Sequence, residues 1–534
     1  MQKHLLLGVE AIAQGAIDGG MSGIYAYPGT PSTEITEYVQ NSKQAIARNI
    51  HREWSANEKT AMETALGMSY AGKRTMVCMK HVGLNVAADC FLNAAVTGAN
   101  GGIIVTVADD PSMHSSQNEQ DSRVYGKFAQ IPVLEPSNQQ EAYEMARYGF
   151  ELSEKLATPV LMRITTRLAH SRAGVEIREE AKENELTLPK DKKQFILLPA
   201  IARKRYKLLL SKQEQFEQEG ETAGYNKYFD AKDKSLGIIA CGIGYNYLME
   251  NYPNGECPFP VVKVSQYPIP RKMITKLANE CDRLLILEEG YPVIEELLKG
   301  YLEKEAVNGR LDGTLSRDGE LNPDMVAKAL GFEAKEGAPV PELVAPRPPA
   351  LCDGCGHRDV YKALNETIAI YGQGRVFSDI GCYTLGALPP FESIFTTVDM
   401  GASITMAKGA TDAGLFPSVA VIGDSTFTHS GMTGLLDAVN EKSPITVIIS
   451  DNESTSMTGG QESSALGHLE AICEGLGVEK DHIRVFTPVP KNHEMICDII
   501  KEELEYKGVS VIIPRRICIQ KATRDAKKRK AAKK

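Results

Sequence analysis

The sequence lacks the features that would mark it as a membrane or secreted protein. No apolar run among its 534 residues approaches the roughly 18 residues that a membrane-spanning helix needs, and the opening Met1-Gln-Lys-His lacks a signal-peptide layout. Its eleven cysteines are too few and too scattered for a disulfide scaffold. These absences predict a cytoplasmic protein in a reduced compartment, with no membrane contact.

An excess of positive charge is also missing. The formal net charge of −9 argues against a general nucleic-acid binder. What the sequence does have is 43% hydrophobic and 24% charged residues, which is the composition of a globular protein. A chain of 534 residues is long enough for about three domains, because single cores stop growing well below this size.

The chain alternates strand-like and helix-like segments, which predicts α/β domains. We expect an α/β domain at 1–190, a charged linker at 191–235, a small α/β domain at 236–332, a proline-rich hinge at 333–350, a third α/β domain at 351–518 and a basic tail at 519–534. The simplest prediction for the tail is a disordered, solvated end. Docking onto an acidic partner or a ferredoxin is the alternative.

Two acidic or amide side chains follow neighbouring strand-like runs in the third domain. The run at 418–422 ends at Gly423-Asp424, and the run at 445–450 ends at Asp451-Asn452. Open α/β sheets bind ligands at the carboxyl ends of their strands, and Mg²⁺ takes oxygen ligands and phosphate. The pattern therefore predicts a Mg²⁺–diphosphate site. Two ordinary turns in which Asp and Asn cap helices are the alternative.

Polar segments also follow strand-like runs in the first domain. Residues 28–34 form an irregular turn in which Ser32 or Thr33 can cap a helix, and free amides there suit a carboxylate or phosphate. Glu58 begins a stretch of small residues, where its carboxylate would be partly desolvated. A solvated glutamate in the first turn of a helix is the alternative. The polar run at 109–123 is either a site loop or a solvated surface loop.

Several of these segments carry a family resemblance. YPGTPSTEI, EWSANEK, MKHVGLNVAAD and ADDPSMHSSQNEQDSR, in that order, resemble the pyrimidine-binding half of the indolepyruvate ferredoxin oxidoreductase α subunit, a thiamine-diphosphate-dependent 2-oxo acid oxidoreductase. GDS at 423–425 and DN at 451–452 resemble the thiamine-diphosphate fingerprint GDG…NN. The resemblance extends to about residue 518. It implies three doubly wound α/β domains: pyrimidine-binding, transketolase C-terminal-like and diphosphate-binding.

The resemblance also implies site residues. Glu58 would share a proton with the cofactor's pyrimidine ring, and Thr30 and Arg123 are candidates for binding the substrate carboxylate. Asp424, Asn452 and the carbonyl of Ser454 would hold Mg²⁺. The predicted cofactor-binding residues are Glu58, His81, Asn85, Gly401, Ser403, Gly423, Asp424, Ser425 and Asn452.

Four cysteines of the third domain match a further pattern. Cys352 and Cys355 form a C-x-x-C pair, Cys382 follows a strand-like run, and Cys518 follows the last one. In the wider family of pyruvate ferredoxin oxidoreductases, cysteines at this spacing hold an iron–sulfur cluster near the cofactor. A [4Fe–4S] cluster is therefore the prediction. Zinc, or cysteines without a ligand in the core, are the alternatives.

The activity that the resemblance implies is oxidative decarboxylation of a 2-oxo acid, an arylpyruvate such as indolepyruvate, to acyl-coenzyme A and CO₂. The expected partners are coenzyme A, a smaller β subunit, and a ferredoxin or another electron acceptor, in a hetero-oligomer with dimerised α subunits. The two C-x-x-C-x-x-C-x-x-x-C-P runs of the family's ferredoxin-like module do not follow Cys518, so we expect a different electron exit. A non-oxidative thiamine-diphosphate decarboxylase or ligase is the alternative, and a non-catalytic scaffold is the third hypothesis.

Overall fold

The structure is a computed structural model, and it describes residues 3–252, 254–300, 313–314, 328, 333, 337–345, 349–456 and 461–532. The chain forms two compact units: residues 1–291 together with 351–534, and residues 292–350. The predicted domain boundary at residue 332 lies outside the described residues. The described hinge segment 337–345 has a turn but neither helix nor strand.

Strands and helices alternate through most of the described chain. The strands are β1 (Lys3–Leu7), β2 (Gly23–Ala26), β3 (Thr75–Lys80), β4 (Ile103–Asp109), β5 (Val133–Leu134), β6 (Val160–Thr165), β7 (Arg172–Glu176), β8 (Phe195–Ile196), β9 (Lys227–Phe229), β10 (Gly237–Cys241), β11 (Val261–Val264), β12 (Gln266–Tyr267), β13 (Leu284–Leu287), β14 (Val376–Ser378), β15 (Thr396–Thr397), β16 (Ser418–Gly423), β17 (Ile445–Ser450), β18 (Ser454–Thr455), β19 (Gln461–Glu462), β20 (Ile483–Phe486) and β21 (Ser510–Pro514). The helices are α1 (Gly8–Asp18), α2 (Thr33–Asn41), α3 (Lys43–Ala47), α4 (Glu58–Tyr70), α5 (His81–Thr97), α6 (Ser122–Ala129), α7 (Gln139–Leu156), α8 (Thr166–His170), α9 (Pro199–Ser211), α10 (Gln213–Thr222), α11 (Ile243–Glu250), α12 (Arg271–Glu280), α13 (Val293–Lys299), α14 (Gly356–Ile368), α15 (Ala402–Asp412), α16 (Asp424–Thr426), α17 (Met432–Asn440), α18 (Leu469–Gly475), α19 (His493–Glu505) and α20 (Ile519–Ala532).

The first part of the chain builds a six-stranded sheet in the order β12-β5-β6-β4-β3-β2. Its strands are parallel except for β12, which pairs antiparallel with β5. β3, β4 and β6 are buried along their whole length, as parallel strands covered on both faces by helices should be. Their carboxyl ends therefore meet at one edge, where Lys80 and Asp109 lie.

The middle of the chain forms a smaller four-stranded sheet in the order β13-β10-β11-β9, in which β9 is antiparallel. The segment predicted as a linker at 191–235 contributes to two sheets. Its β9 closes the four-stranded sheet, and its β8 pairs in parallel with β15. Two- and three-residue strands carry no periodic signal, which is why the charged composition of this segment favoured a linker.

The last part of the chain builds a seven-stranded, fully parallel sheet in the order β20-β21-β17-β16-β14-β15-β8. The predicted strands at 418–422 and 445–450 are β16 and β17, and they pair side by side from Ser418 opposite Ile445 to Gly423 opposite Ser450. This pairing brings Asp424 and Asp451-Asn452 to the same edge. The strand order is thus what places the two predicted ligand segments next to each other.

Helices α4 and α15 join the six-stranded and seven-stranded sheets. A Cβ atom added at Gly67 would lie 2.3 Å from the Met406 carbonyl oxygen, and one at Gly409 would lie 1.9 Å from the Thr64 carbonyl oxygen. Only glycine permits this approach of the two backbones. The small residues that mark α4 in the sequence are therefore explained by a helix crossing.

The basic tail is a helix where the sequence predicted disorder. α20 runs from Ile519 to Ala532, and its Lys521 ammonium donates to the Glu453 carbonyl oxygen at 2.8 Å. Composition alone favoured disorder because many like charges repel one another, and it does not reveal the contacts that anchor the first turn. Among the described helices, none has both the length and the apolarity that crossing a bilayer requires.

Candidate active site

Asp424 is the central carboxylate at the edge of the seven-stranded sheet. It follows β16 directly and is only 2% exposed. Its Oδ2 atom is buried and has no hydrogen-bond partner among the described residues. Burial raises the pKa of Asp424 to about 6, although hydrogen bonds from Ser463 and from the Ser425 amide lower it. A buried carboxylate oxygen without a partner costs free energy unless a ligand compensates it, and a cation does so best.

Asn452 lies in a tight turn after β17. Its Oδ1 accepts hydrogen bonds from the Ser454 amide at 3.1 Å and the Ser454 hydroxyl at 3.3 Å, while Glu453 between them has a φ of +60°. The Thr455 hydroxyl donates to the Ser425 hydroxyl at 3.0 Å. The two predicted motif segments are therefore bonded to each other. Asp424, Asn452 and the Ser454 carbonyl are oxygen donors of the kind that Mg²⁺ takes, so this donor set fits that ion.

Asp451, the other residue of the DN pair, has a different place. Its carboxylate accepts a hydrogen bond from Arg515 Nε at 2.6 Å, and Arg515 also pairs with Glu470. Its backbone carbonyl oxygen accepts from the Arg516 amide at 2.9 Å. Asp451 therefore fixes the end of β17 to the segment that follows β21.

Asp379, which follows β14, was not among the site residues predicted from the sequence. The side chain is fully buried, and its carboxylate accepts hydrogen bonds from the Ser403 hydroxyl at 2.6 Å, the Gly401 amide at 3.2 Å and the Tyr383 hydroxyl. Burial raises the pKa of Asp379 to about 7, although these hydrogen bonds lower it. Asp379 thus holds the turn that contains the predicted cofactor residues Gly401 and Ser403. Its position at a strand's carboxyl end was the available signal.

Gly401 and Gly423 make close contacts that exclude any side chain. Gly401 has a φ of +105°, and an added Cβ would lie 2.7 Å from the Ser430 Cβ. A Cβ added at Gly423 would lie 2.6 Å from a ring carbon of Tyr383. Both glycines are at the same sheet edge as Asp424. The backbone at both positions is therefore not covered by a side chain of its own.

Glu58 begins α4, and Asn57 caps that helix. The carboxylate is half-buried and lies against Gly83 of α5, where an added Cβ would be 2.6 Å from Glu58 Oε1. Glycine at position 83 therefore leaves the space that the Glu58 side chain takes. This places Glu58 against the first turn of the helix that follows β3.

Four other polar residues lie around the edge of the six-stranded sheet. His81 is 1% exposed and its Nε2 lies 3.2 Å from the Asn118 carbonyl oxygen, while Asn85 is exposed and accepts from the Tyr125 hydroxyl at 2.5 Å. Thr30 is exposed, and its carbonyl oxygen accepts from the Ser115 hydroxyl at 3.3 Å. Lys80 donates to the Ser115 carbonyl oxygen at 2.7 Å. Burial lowers the pKa of Lys80.

Arg123 is in a buried ion-pair network rather than in an open loop. It is 2% exposed, and its guanidinium binds Asp121 at 2.5 Å, Glu288 at 3.0 Å and the Tyr291 carbonyl oxygen at 2.9 Å. Arg163, fully buried, shares Asp121. The donors of Arg123 are thus engaged within the fold. The sequence did not indicate this, because Glu288 and Tyr291 come from a distant segment.

Buried charges join the parts of the chain that carry the six-stranded and seven-stranded sheets. Lys59 of α4 pairs with Glu63 and with Asp399, which precedes Gly401. A second group places the fully buried Lys408 at 3.2 Å from Asp412 and at 2.9 Å from Glu441, beside His51. Removing one partner from a buried pair leaves an uncompensated charge, so these contacts hold the halves in one arrangement.

A cleft of about 570 Å³ opens between α5, α9 and the ends of β14 and β15. Its lining includes Asp89, Tyr206, Ile380, Asp399 and Met400, but neither Glu58 nor Asp424. The volume lies in the range of small-molecule sites. The candidate site consists of the residues at the two sheet edges, and the cleft lies next to it.

Cys352, Cys355, Cys382 and Cys518 come together at the seven-stranded edge. The pKa of Cys382 is raised to about 11 by burial and by the neighbouring Cys518, Cys355 and Cys352 thiols. The Cys518 amide donates to the Asn452 carbonyl oxygen at 3.0 Å. The group of cysteines is thus bonded directly to the Asn452 turn.

Comparisons with known proteins identify the family of this chain. Residues 14–225 match the family model described as "Pyruvate flavodoxin/ferredoxin oxidoreductase, thiamine diP-bdg", and residues 379–513 match "Thiamine pyrophosphate enzyme, C-terminal TPP binding domain". The chain is 39% identical to indolepyruvate oxidoreductase subunit IorA of Pyrococcus horikoshii and 38% identical to that of Archaeoglobus fulgidus. Each alignment covers 97% of this chain and 86% of the relative.

The chain belongs to the indolepyruvate oxidoreductase subunit IorA family. It is thus a member of the thiamine-diphosphate-dependent 2-oxo acid oxidoreductases, as the sequence motifs predicted. Among solved structures, a 2-oxoglutarate:ferredoxin oxidoreductase from Magnetococcus marinus, with 2-oxoglutarate, coenzyme A and succinyl-CoA bound, matches at 16% identity and a TM-score of 0.47. That match covers 56% of this chain and 60% of the other.

Proposed function

We propose that this chain is the thiamine-diphosphate-binding subunit of an enzyme that converts an arylpyruvate, such as indolepyruvate, and coenzyme A to an acyl-coenzyme A and CO₂. The observation that carries the proposal is the hydrogen bond from the Cys518 amide to the Asn452 carbonyl. It joins a group of four thiols to a turn that fits Mg²⁺–diphosphate. Such a pairing suits an oxidation in which electrons leave from beside the cofactor.

Asp424 and Asn452, with the carbonyl of Ser454, would hold Mg²⁺ and through it the diphosphate. The buried, unpartnered Oδ2 of Asp424 supports this assignment. Gly423, Ser425, Gly401 and Ser403 would line the diphosphate, because the close contacts of the two glycines leave only backbone there. Asp379 would act through Gly401 and Ser403 as a positioning residue.

Glu58 would bind the pyrimidine ring of the cofactor. Its carboxyl would share a proton with a ring nitrogen, which is a general acid–base role. When bound, the cofactor supplies the electron sink for decarboxylation. His81, at the start of α5, and Asn85, one turn later, lie on one face of this helix and would contribute to the ring's surroundings.

The substrate carboxylate needs hydrogen-bond donors near this edge. Thr30 is exposed there. Ser115 connects it to Lys80, because the Ser115 hydroxyl donates to the Thr30 carbonyl oxygen and the Lys80 ammonium donates to the Ser115 carbonyl oxygen. Arg123 is no longer a candidate, because Asp121, Glu288 and Tyr291 already engage its donors. We therefore propose Thr30, assisted by the positive charge of Lys80.

The four cysteines would hold a [4Fe–4S] cluster. A single zinc ion with Zn–S bonds near 2.3 Å would bring its sulfurs to about 3.8 Å of one another. Within the described residues, groups of three or more ligand atoms that lie within 4.8 Å of one another do not include these thiols. We favour a cluster of several irons because an oxidative reaction needs a one-electron acceptor near the cofactor, and zinc has no redox chemistry.

The overall reaction releases two electrons and one proton per 2-oxo acid consumed with coenzyme A. A cluster passes electrons singly, so two one-electron acceptors, such as ferredoxins, would be reduced in each turnover. The relatives are named as subunits, which supports a smaller β subunit as the partner. We further propose a hetero-oligomer with dimerised copies of this chain.

The test is to purify the complex without oxygen and to measure bound iron, dithionite-bleachable visible absorbance and viologen reduction. We expect iron in the preparation and viologen reduction that requires both indolepyruvate and coenzyme A. Pyruvate and 2-oxoglutarate serve as substrate controls. Aldehyde release without iron or viologen reduction would contradict the proposal and favour a non-oxidative decarboxylase.

A further inference from the structure

A strongly basic helix begins directly after Cys518. Residues 519–534 contain eight lysine or arginine residues and one aspartate, a net charge of +7, whereas the whole chain has −9. On α20 the side chains of Lys527, Lys528 and Arg529 are exposed. α20 is thus an element of strong net positive charge in an acidic protein.

The first turn of α20 is fixed against the cysteines and the Asn452 turn. The side-chain amide of Gln520 donates to Cys352 Sγ at 3.5 Å, and the backbone amide of Ala522 donates to the Cys518 carbonyl oxygen at 2.9 Å. Lys521 donates to the Glu453 carbonyl oxygen at 2.8 Å. A helix of this length and charge would be marginal alone in water, so these contacts set its position.

Cys518 directly precedes α20, so the group of cysteines lies at the start of this helix. Cys352, which Gln520 contacts, is exposed. A molecule lying along the start of α20 would touch the sulfur group directly.

We propose that α20 is the docking surface for an acidic one-electron carrier protein, which takes electrons from the cluster held by the four cysteines. This inference rests on the proposed function. Opposite charges speed encounter and fix orientation, and α20 combines its positive charge with contacts to the cysteines that hold the cluster. Each docking event oxidises the cluster by one electron and reduces one carrier, so two carriers are reduced per 2-oxo acid.

The test uses the complete complex with Lys527→Gln, Lys528→Gln and Arg529→Gln combined. Viologen reduction should stay unchanged, because a small dye needs no docking surface. The KM for an acidic ferredoxin should rise about tenfold at low salt. Raising the ionic strength from about 0.01 M to about 0.15 M should weaken ferredoxin reduction by the wild type far more than by the variant.

A matched control replaces three exposed lysines near the amino ends of the strands of the seven-stranded sheet, opposite the edge where the cysteines lie. The substitutions are Lys442→Gln, Lys480→Gln and Lys501→Gln. This control should keep the wild-type KM for ferredoxin. An equal rise in the control, or no rise in the α20 variant, would overturn the proposal. Loss of the β subunit or of viologen reduction in the α20 variant would also overturn it, because the helix would then serve assembly or the reaction itself.

Calorimetric titration of the ferredoxin into the complex separates this inference from the proposed function. Binding that the α20 variant weakens and the control keeps supports docking, even in a complex that fails to reduce viologen with indolepyruvate. Binding of similar strength in both proteins overturns docking and leaves the proposed function standing. Displacement of the ferredoxin by single-stranded DNA at equal charge concentration would mark α20 as a general polyanion site and would also overturn it.

Discussion

The two sheet edges that form the candidate site differ in how completely the fold organises them. At the seven-stranded edge, Asp424 is 2% exposed and Asp379 and Ser403 are fully buried, with hydrogen bonds that fix each neighbouring turn. At the six-stranded edge, Thr30 and Asn85 are exposed and Glu58 is half-buried. An ion and a diphosphate need preset ligands, whereas an aromatic ring and a substrate need an open approach.

The difference has an energetic counterpart. Burial raises the pKa values of Asp379 and Asp424, so the ionised forms that the seven-stranded edge needs are unfavourable before a cation binds. A bound cation would offset this unfavourable free energy of ionisation. At the six-stranded edge, the fold instead leaves space for a side chain, as the contact between Glu58 and Gly83 illustrates.

The largest effect on cofactor binding should follow from Asp424→Asn, which keeps the shape of the side chain but removes the charged ligand. Mg²⁺-dependent affinity for thiamine diphosphate should fall about 10²-fold or more, roughly 3 kcal/mol. Calorimetry of the complex measures this, with exposed Asp481→Asn as the control. Unchanged affinity in Asp424→Asn would remove the ion from this edge.

Glu58→Gln should separate activation of the cofactor from its binding. Thiamine diphosphate should bind with nearly wild-type affinity, but its C2 proton should exchange about 10²-fold more slowly, because a general acid–base group is lost. Proton NMR after acid quenching measures the exchange. Glu53→Gln, an exposed residue of the same segment, is the control. A wild-type exchange rate in Glu58→Gln would assign the role to another group.

Buried Asp379 predicts how stability changes with pH. Its pKa is raised to about 7 in the folded protein, so the folded state binds more protons than the unfolded state between about pH 4 and pH 7. Its contribution therefore destabilises the fold increasingly as the pH rises through this range, by up to about 4 kcal/mol. Urea unfolding of the cofactor-free Asp379→Asn variant should show a flatter pH dependence than wild type. Equal slopes would contradict the burial argument.

Gly401→Ala should weaken cofactor binding through the backbone. The added Cβ would lie 2.7 Å from Ser430 at a φ of +105°, so the turn must shift. We expect about a tenfold loss of thiamine-diphosphate affinity. Gly414→Ala is a matched control, because its φ is +95° and the nearest atom is 3.9 Å away. Equal losses in both variants would indicate general strain rather than a site at Gly401.

Thr30→Val should have the smallest effect, at the open edge. Loss of one hydroxyl donor to a carboxylate should raise the KM for indolepyruvate by up to about tenfold and leave cofactor affinity unchanged. Steady-state viologen assays measure this, with exposed Thr187→Val as the control. A lowered cofactor affinity would instead place Thr30 against the cofactor.

The sequence predicted best what local patterns determine. Asp424 and Asn452 follow strong strand-like runs, so their place at one sheet edge was predictable. The small residues at the start of α4 likewise predicted a closely packed helix. Asp379 was missed because its partners, Gly401 and Ser403, lie over twenty residues away, across a strand. The Lys59–Asp399 and Arg123–Glu288 pairs join still more distant segments, and no local pattern carries that information.

We propose that this one chain supplies both halves of a thiamine-diphosphate site. The most direct test is the rate of C2-proton exchange of the cofactor bound to the wild-type complex, with and without Mg²⁺. In the proposed site, fast exchange would need the ion at Asp424 and the proton-sharing carboxyl at Glu58 at the same time. We expect exchange far faster than in free thiamine diphosphate, and only when Mg²⁺ is present. Exchange no faster than in the free cofactor, with Mg²⁺ present, would contradict it.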